Sequence, residues 1–290
     1  MIRKAVIPAA GFGTRMLPAA KAVPKEMLPI LDRPTIQYVV EESAAAGATD
    51  VLIITSRDKK AIEDHFDRFP ELESRLKASG KEEFLQSINT LMAQVRISTT
   101  RQQEQRGLGH AVLQSREHVG NEPFLCLLGD TIFSGADVSP ARQLVDAYEK
   151  FGTAVIGLQQ VSPEKVERYG IVAGEPVEDG VIRITELVEK PNRDRAPGTL
   201  AIAARYLFTP GIFPCIDLVE PGKGGEIQLT DAMRLLLTRE RIHGVVLRST
   251  RHDIGDPAEW LKANLIFARR DPAMWSMLRP TLEALMKTSM

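Results

Sequence analysis

The chain has only two cysteines and five histidines in 290 residues, and a formal charge of -1 from 37 basic and 38 acidic side chains. Each scarcity closes a class of function. Cys126 falls in an apolar strand pattern and Cys215 in a helical one, which suits reduced core residues and neither a disulfide nor a metal pair. The near-neutral balance gives no global field for a nucleic acid or a membrane surface, so any affinity for anions must be local. No apolar run approaches the ~20 residues that span a bilayer, and the opening MIRKAVIPAA enters a strand pattern without an apolar leader or cleavage site. A cytoplasmic protein with no nucleic-acid and no membrane partner is expected. The histidines show no H-E-x-x-H or paired Cys/His spacing and there is no G-x-S-x-G elbow, which removes zinc and serine-hydrolase chemistry.

What is present reads as a soluble globular chain, 43% hydrophobic and 26% charged. Strand-like runs at Ala5 to Ile7, Val51 to Thr55, Val95 to Ser98 and Phe124 to Leu128 alternate with helical periodicity. Ile36, Val39, Val40, Ser43 and Ala44 mark a helix closed by Gly47, residues 58 to 94 read as helical pieces broken at Pro70 and Gly80, and a further helix runs from Gly109 to Val119. This predicts an α/β fold, doubly wound about a mostly parallel central sheet, over residues 1–134. Residues 135–256 carry more strands and fewer long helices, at 154–158, 171–173, 181–187 and 200–208, as in a mixed-sheet part. No linker separates the halves, so one continuous sheet is expected. Helices follow at 230–240 and in 257–290, where an apolar tail suits extra core or an oligomer interface equally well.

Three short stretches carry the chemistry. The first, IPAAGFGTRMLPAAKAVPKEML from residue 7, holds two glycines, three prolines, Arg15, Lys21 and Lys25. Such a loop buries little apolar surface of its own, and its cations suit phosphate oxygens. Neither common fingerprint fits: Met16 stands where the dinucleotide motif needs a third small residue, and no G-x-x-x-x-G-K-[ST] occurs. A solvated surface turn explains the loop as well. The second, LLGD, ends an apolar strand in Asp130, which suits Mg²⁺ held by one or two carboxylates together with phosphates, though a turn aspartate has the same appearance. The third, VEKP, sets Glu189 for sugar hydroxyls beside Lys190 for a phosphate.

Taken together, AAGFGTRMLPAAKAVPKEMLPI, RQQEQRGLGHAV, LLGD, YGIV, VEKP, LAIAARYLF and GGEIQLTDA closely resemble the bacterial UTP:glucose-1-phosphate uridylyltransferases, or UDP-glucose pyrophosphorylases. The likeness runs from Lys4 to about Ala268, within the sugar-phosphate nucleotidyltransferase superfamily. It implies Mg²⁺-dependent formation of UDP-glucose and pyrophosphate from UTP and glucose 1-phosphate, by a homodimer or homotetramer. It also implies roles for single residues. Ala10, Gly11 and Gly13 would lie against the nucleotide, Gln102 and Gly107 would read the base edge, and Glu26 would hold the nucleoside side. Arg15 and Lys25 would face the triphosphate, and Asp130 with Asp253 would bind metal. Gly170, Glu189, Lys190 and a turn at Ala203 and Ala204 would form the sugar site. Thr131 departs from the pattern, since many relatives carry a second acidic residue there. A thymidylyltransferase, or a regulatory paralogue that binds nucleotide without turnover, shares the loop and the aspartate.

Overall fold

The computed structural model describes residues 1–287; positions 288–290 of the expected C-terminal segment lie outside the described residues. Strand β1 (Lys4–Pro8) is buried on both faces, with Ala5 and Ile7 in one core and Val6 in another. A strand so placed must lie inside a sheet with helices on both sides. Strands β2 (Pro29–Ile30) and β3 (Arg33–Pro34) form a small hairpin before α1 (Thr35–Ala45), β4 (Asp50–Thr55) and α2 (Lys60–Phe66). Then come α3 (Pro70–Ala78), α4 (Gln86–Gln94), β5 (Arg96–Arg101), α5 (Leu108–Leu113), α6 (Arg116–Val119), β6 (Phe124–Leu127) and β7 (Thr131–Ser134). The second half holds α7 (Pro140–Phe151), β8 (Ala154–Gln160), β9 (Gly170–Glu178), β10 (Val181–Glu189) and β11 (Leu200–Phe208). It continues through α8 (Ile212–Asp217), α9 (Leu229–Leu237), β12 (Ile242–Val246), β13 (Thr250–Asp253), α10 (Pro257–Arg270) and α11 (Pro272–Lys287).

The halves share one nine-stranded sheet, ordered β5-β4-β1-β6-β11-β8-β12-β10-β9, as expected. The mixed part expected over 135–256 is present, and it makes the sheet as a whole mixed rather than mostly parallel. Strands β5, β4, β1 and β6 run parallel, but β11 is antiparallel to both β6 and β8, and β10 is antiparallel to β12 and β9. The reason lies in the connections. Parallel neighbours need a helical crossover, whereas β9 and β10 are joined by the two-residue turn Asp179-Gly180, with Gly180 at φ 72°. One core forms between the sheet and α1, α2, α4, α7 and α10; the other lies beneath α5, α6, α8 and α9. Cys126 and Cys215 are free and buried in the second core.

Helix α1 and its left-handed Gly47 (φ 105°) match the sequence reading, as do the breaks at Pro70 and Gly80. The helix expected over Gly109 to Val119 divides at Ser115, whose hydroxyl donates to the Val112 carbonyl at 2.6 Å. Helix α7 has sequence signals that went unread: Ser139 at its N-cap accepts from Arg142 N at 3.2 Å, and Gly152 closes it in the left-handed region. Strand β12 and the β7–β13 ribbon were likewise not anticipated. The apolar tail is two helices. Trp260 and Phe267 of α10 pack on the core, whereas α11 has no buried residue. No helix among the described residues is long and apolar enough to cross a membrane.

Candidate active site

Parallel register puts the carboxyl ends of β1, β4 and β5 on one edge, with Pro8 opposite Ile54 and Thr55 opposite Arg101. The ladder runs one step further. Ala9 N donates to Ile54 O at 2.8 Å and Gln102 N to Thr55 O at 2.9 Å, so the glycine loop and Gln102 leave the strands that flank β4 on either side, at the same edge. Gln102 is buried, donates from Nε2 to the Gly107 carbonyl at 3.1 Å and lies 3.0 Å from His110 Nδ1. Gly107 must be glycine, because its φ is 91° and a Cβ there would stand 2.8 Å from the Ile227 carbonyl oxygen. Ile227 N donates to Arg106 O at 2.7 Å, and Gly109 N donates to Ile227 O at 2.9 Å. The RGLG and GGEIQ motifs are therefore one structure.

Within the opening loop, Ala10 is buried and Gly11 exposed. Gly13 adopts φ 67°, with the methylenes of Lys25 3.4 Å from where its Cβ would be, so the two residues set each other's place. Lys21 is exposed and stands outside the cleft lining. Lys25 Nζ makes a short ion pair with Asp130, whose Oδ1 also accepts from the Thr131 hydroxyl at 3.3 Å. Burial alone would raise the Asp130 carboxyl, but the Lys25 ammonium, helped by Arg15 and Thr131, holds it below its ordinary value. Burial would lower Lys25, and Asp130 and Glu26 hold it above. Arg15 reaches Asp253 with its two terminal nitrogens at 3.1 and 3.4 Å. The β7–β13 ribbon brings the two aspartates together: Asp253 faces Thr131 in register, and Ile254 N donates to the Asp130 carbonyl at 2.9 Å.

Glu26 differs from the expectation that it holds the nucleoside side. It is 1% exposed, and both of its oxygens accept from Lys59 Nζ, at 2.7 and 2.8 Å. Burial pushes its carboxyl up and the Lys59 ammonium down, each offset only in part by the partner. In this structure it braces the loop from behind.

The other end of the cleft is built on β9, β10 and α9. Glu189 Oε2 accepts from the Thr230 hydroxyl at 2.7 Å, and Lys190 Nζ lies 3.3 Å from Glu189 Oε1. Lys190 adopts φ 42°, its N–H donating to the Tyr169 carbonyl at 3.1 Å. A Cβ on Gly170 would meet Ile202 Cδ1 at 2.8 Å and Glu189 Oε2 at 3.1 Å, so glycine leaves the carboxylate its position. The expected turn at Ala203 and Ala204 is a bulge inside β11: register shifts between Ile202 and Tyr206, and Ala204 lies at φ 58°. Arg15, Asp130, Gly170, Glu189, Lys190, Ala204 and Asp253 line one cleft of about 980 Å³. Ala10, Gly11, Gly13, Lys25, Glu26, Gln102, Gly107 and Ala203 do not, although Lys25 reaches the wall through its ion pair with Asp130, and Leu108 and Gln228 carry the RGLG–GGEIQ structure to it.

Two supports escaped the sequence. Lys59 lies in a polar stretch, SRDKK, that reads as the solvated start of the helical pattern from residue 58. Arg205 is wholly buried in β11, paired with Glu42 of α1 at 2.7 and 3.0 Å, and donates to the Thr131 carbonyl at 2.8 Å beside Asp130. A cation inside the apolar run LAIAARYLF was the available signal, since a buried arginine needs a partner.

A cleft at the carboxyl edge of an α/β sheet, with cation–carboxylate pairs in its middle and a carboxylate and an ammonium at its end, offers charge of both signs to a phosphorylated substrate. The chain belongs to the nucleotidyl transferase family, whose model matches residues 4–270. It is 47% identical over 286 residues to the UTP–glucose-1-phosphate uridylyltransferase YngB of Bacillus subtilis (strain 168), covering 99% of this chain and 96% of that one. A second Bacillus subtilis (strain 168) protein, named UTP–glucose-1-phosphate uridylyltransferase, is 46% identical over 98% of this chain and 97% of its own. Among solved structures, UTP-bound UGPase from Acinetobacter baumannii superposes with a TM-score of 0.90 at 33% identity, all of both chains being covered. A UDP-glucose pyrophosphorylase complexed with UDP-glucose gives 0.86 at 39% identity, over 93% of this chain and 100% of that one.

Proposed function

We propose that this chain transfers the uridylyl group of UTP to α-D-glucose 1-phosphate, giving UDP-glucose and pyrophosphate. The observation that carries the reading is the single cleft joining Arg15, Asp130 and Asp253 to Glu189 and Lys190, one end for each substrate. Residues 1–134 form the nucleotide half, 135–256 the sugar half, and the helices after 257 a support from which the chain assembles as a homodimer or homotetramer. Ala10, Gly11 and Gly13 lie along the nucleotide, Gln102 and Gly107 recognise the base, and Glu26 acts there through Lys59. The product relationship follows from the uridylyltransferase names of the relatives.

The chemistry requires two polyanions to meet, so positioning and positive charge carry most of the load. An oxygen of the sugar phosphate attacks the α-phosphorus of UTP, and pyrophosphate leaves. Lys190 holds the incoming phosphate, Glu189 accepts from sugar hydroxyls, and Arg15 and Lys25 receive the charge that builds on the leaving group. The carboxylates of Asp130 and Asp253 would hold Mg²⁺. No group of three or more His, Cys, Asp or Glu forms a metal cluster among the described residues, and one or two carboxylates are what Mg²⁺ takes where phosphates and water complete its shell. The ion would supply charge against phosphate oxygens. The second pKa of a phosphate monoester is about 6, so the nucleophile is already ionised at neutral pH and needs no protein base. Among the described residues no histidine lines the cleft. His252 is buried against Ser134, and His118 lies near Asp50 at the opposite edge of the sheet.

The test is initial-rate pyrophosphate release with UTP or dTTP, each against several sugar 1-phosphates, with and without Mg²⁺. UTP with glucose 1-phosphate and Mg²⁺ is expected to be fastest. A preference for dTTP would make the chain a thymidylyltransferase, and nucleotide binding without turnover a regulatory paralogue.

A further inference from the structure

We propose that the guanidinium of Arg251 binds the phosphate of the sugar 1-phosphate, completing with Lys190 the cationic seat of the nucleophile. The inference rests on the uridylyl-transfer reading above and deepens it by one residue. Strand alternation places the side chain. On β13, His252 is 2% exposed and turned into the core, 2.8 Å from Ser134 Oγ, so Arg251 and Asp253 share the opposite face and both line the cleft. Arg251 is therefore on the same wall as one of the two carboxylates proposed to hold Mg²⁺. Its other contacts lie at the sugar end. The guanidinium sits 4.3 Å over the Tyr169 ring, NH1 donates to the Ile202 carbonyl at 3.2 Å, and Tyr169 in turn accepts the N–H of Lys190.

Charge separates Arg251 from the other cations there. Arg15 is paired with Asp253 and Lys190 with Glu189. Among the described residues lining the cleft, Lys165, Arg168 and Arg251 have no carboxylate partner, and the first two are exposed on a short 3-10 helix, Pro163–Arg168. Arg251 is half-buried, oriented by a ring and a carbonyl, with one nitrogen engaged out of a fork that can offer five N–H donors. A guanidinium on the cleft wall, on the strand that carries Asp253 and over the ring of Tyr169, suits a phosphate whose ester oxygen is on the glucose and whose free oxygen is aimed at the α-phosphorus.

The test is steady-state kinetics of wild type, Arg251→Gln, Arg251→Lys, Arg251→Ala and Tyr169→Leu, with both substrates varied. Arg251→Gln is expected to raise KM for glucose 1-phosphate roughly ten- to hundredfold, while KM for UTP moves less than about twofold. Arg251→Lys should fall between, since it keeps the charge and loses the fork, and it decides the matter where the glutamine variant does not fold. Millimolar guanidinium should restore glucose 1-phosphate binding to Arg251→Ala, and Tyr169→Leu, which removes the brace and leaves the charge, should have a smaller effect. Equal losses for both substrates, an unchanged KM for glucose 1-phosphate, or a Tyr169→Leu effect as large as Arg251→Gln with no rescue would overturn the proposal. Absence of pyrophosphate release from UTP and glucose 1-phosphate in wild type would instead refute the uridylyl-transfer reading.

Discussion

Asp130 lies just beyond β6, with a carboxylate that burial pushes toward the neutral form and Lys25 holds toward the charged one. Asp130→Asn should keep the fold, because the amide has the same size, and should lower kcat by roughly 10²- to 10³-fold or more, with Mg²⁺ dependence lost. Near-wild-type turnover with unaltered Mg²⁺ dependence would make it a turn aspartate. The pair also shapes acid stability. The Asp130 carboxyl is depressed in the folded state, so its contribution is present at and above its ordinary value and is lost as pH falls through the lower folded one. Urea midpoints between pH 5 and 2 should therefore fall less steeply in Asp130→Asn than in wild type. At the sugar end, Lys190→Ala should raise KM for glucose 1-phosphate about tenfold or more with little change for UTP, whereas equal losses would place the lysine elsewhere. These residues were legible because each ends a strand or fills a glycine-rich turn, where a charged side chain has few structural reasons to be. Lys59 was not. Its partner is 33 residues away, and SRDKK has the texture of any solvated helix start.

Between elements, the placement of Asp130 depends on a contact that no local pattern contains. Arg205 reaches from β11 to Glu42 of α1 and to the carbonyl of Thr131, so one buried cation ties the sheet, a helix and the Asp130 turn together. Arg205→Met should destabilise the protein by about 3–5 kcal/mol, since it leaves Glu42 largely buried without its countercharge. Turnover should fall at temperatures where the variant is still folded. Urea unfolding and kcat measured together decide this; a neutral substitution would mean the pair is dispensable. The long elements were readable from apolar spacing, while β7 and β13 were missed because strands of four residues carry too little alternation to register. The mixed character of the second half was legible, but which neighbours run antiparallel was not: Asp179-Gly180 is a hairpin turn, and the strand period does not reveal direction.

Across the whole molecule, β11 enters the sheet beside β6, so the two ends of the cleft belong to one rigid scaffold, and α10 returns to the first half, where Trp260 Nε1 donates to the Pro29 carbonyl at 3.0 Å. Helix α11 takes no part in that core; Met277 and Leu285 are 72% and 65% exposed. Ending the chain at Asp271 should reduce the mass of the assembly in light scattering while leaving secondary structure intact; an unchanged mass would put the oligomer contact elsewhere. The continuous sheet was foreseeable from the absence of any linker, but the place of α11 was not, because an apolar helix face looks the same whether it meets its own core or another chain. The proposal that one cleft joins UTP to glucose 1-phosphate is tested most directly by following UTP labelled at its α-phosphorus. The expected result is transfer of the label into UDP-glucose in step with pyrophosphate release, only when glucose 1-phosphate and Mg²⁺ are both present; label released as UMP without the sugar phosphate, or no transfer at all, would contradict it.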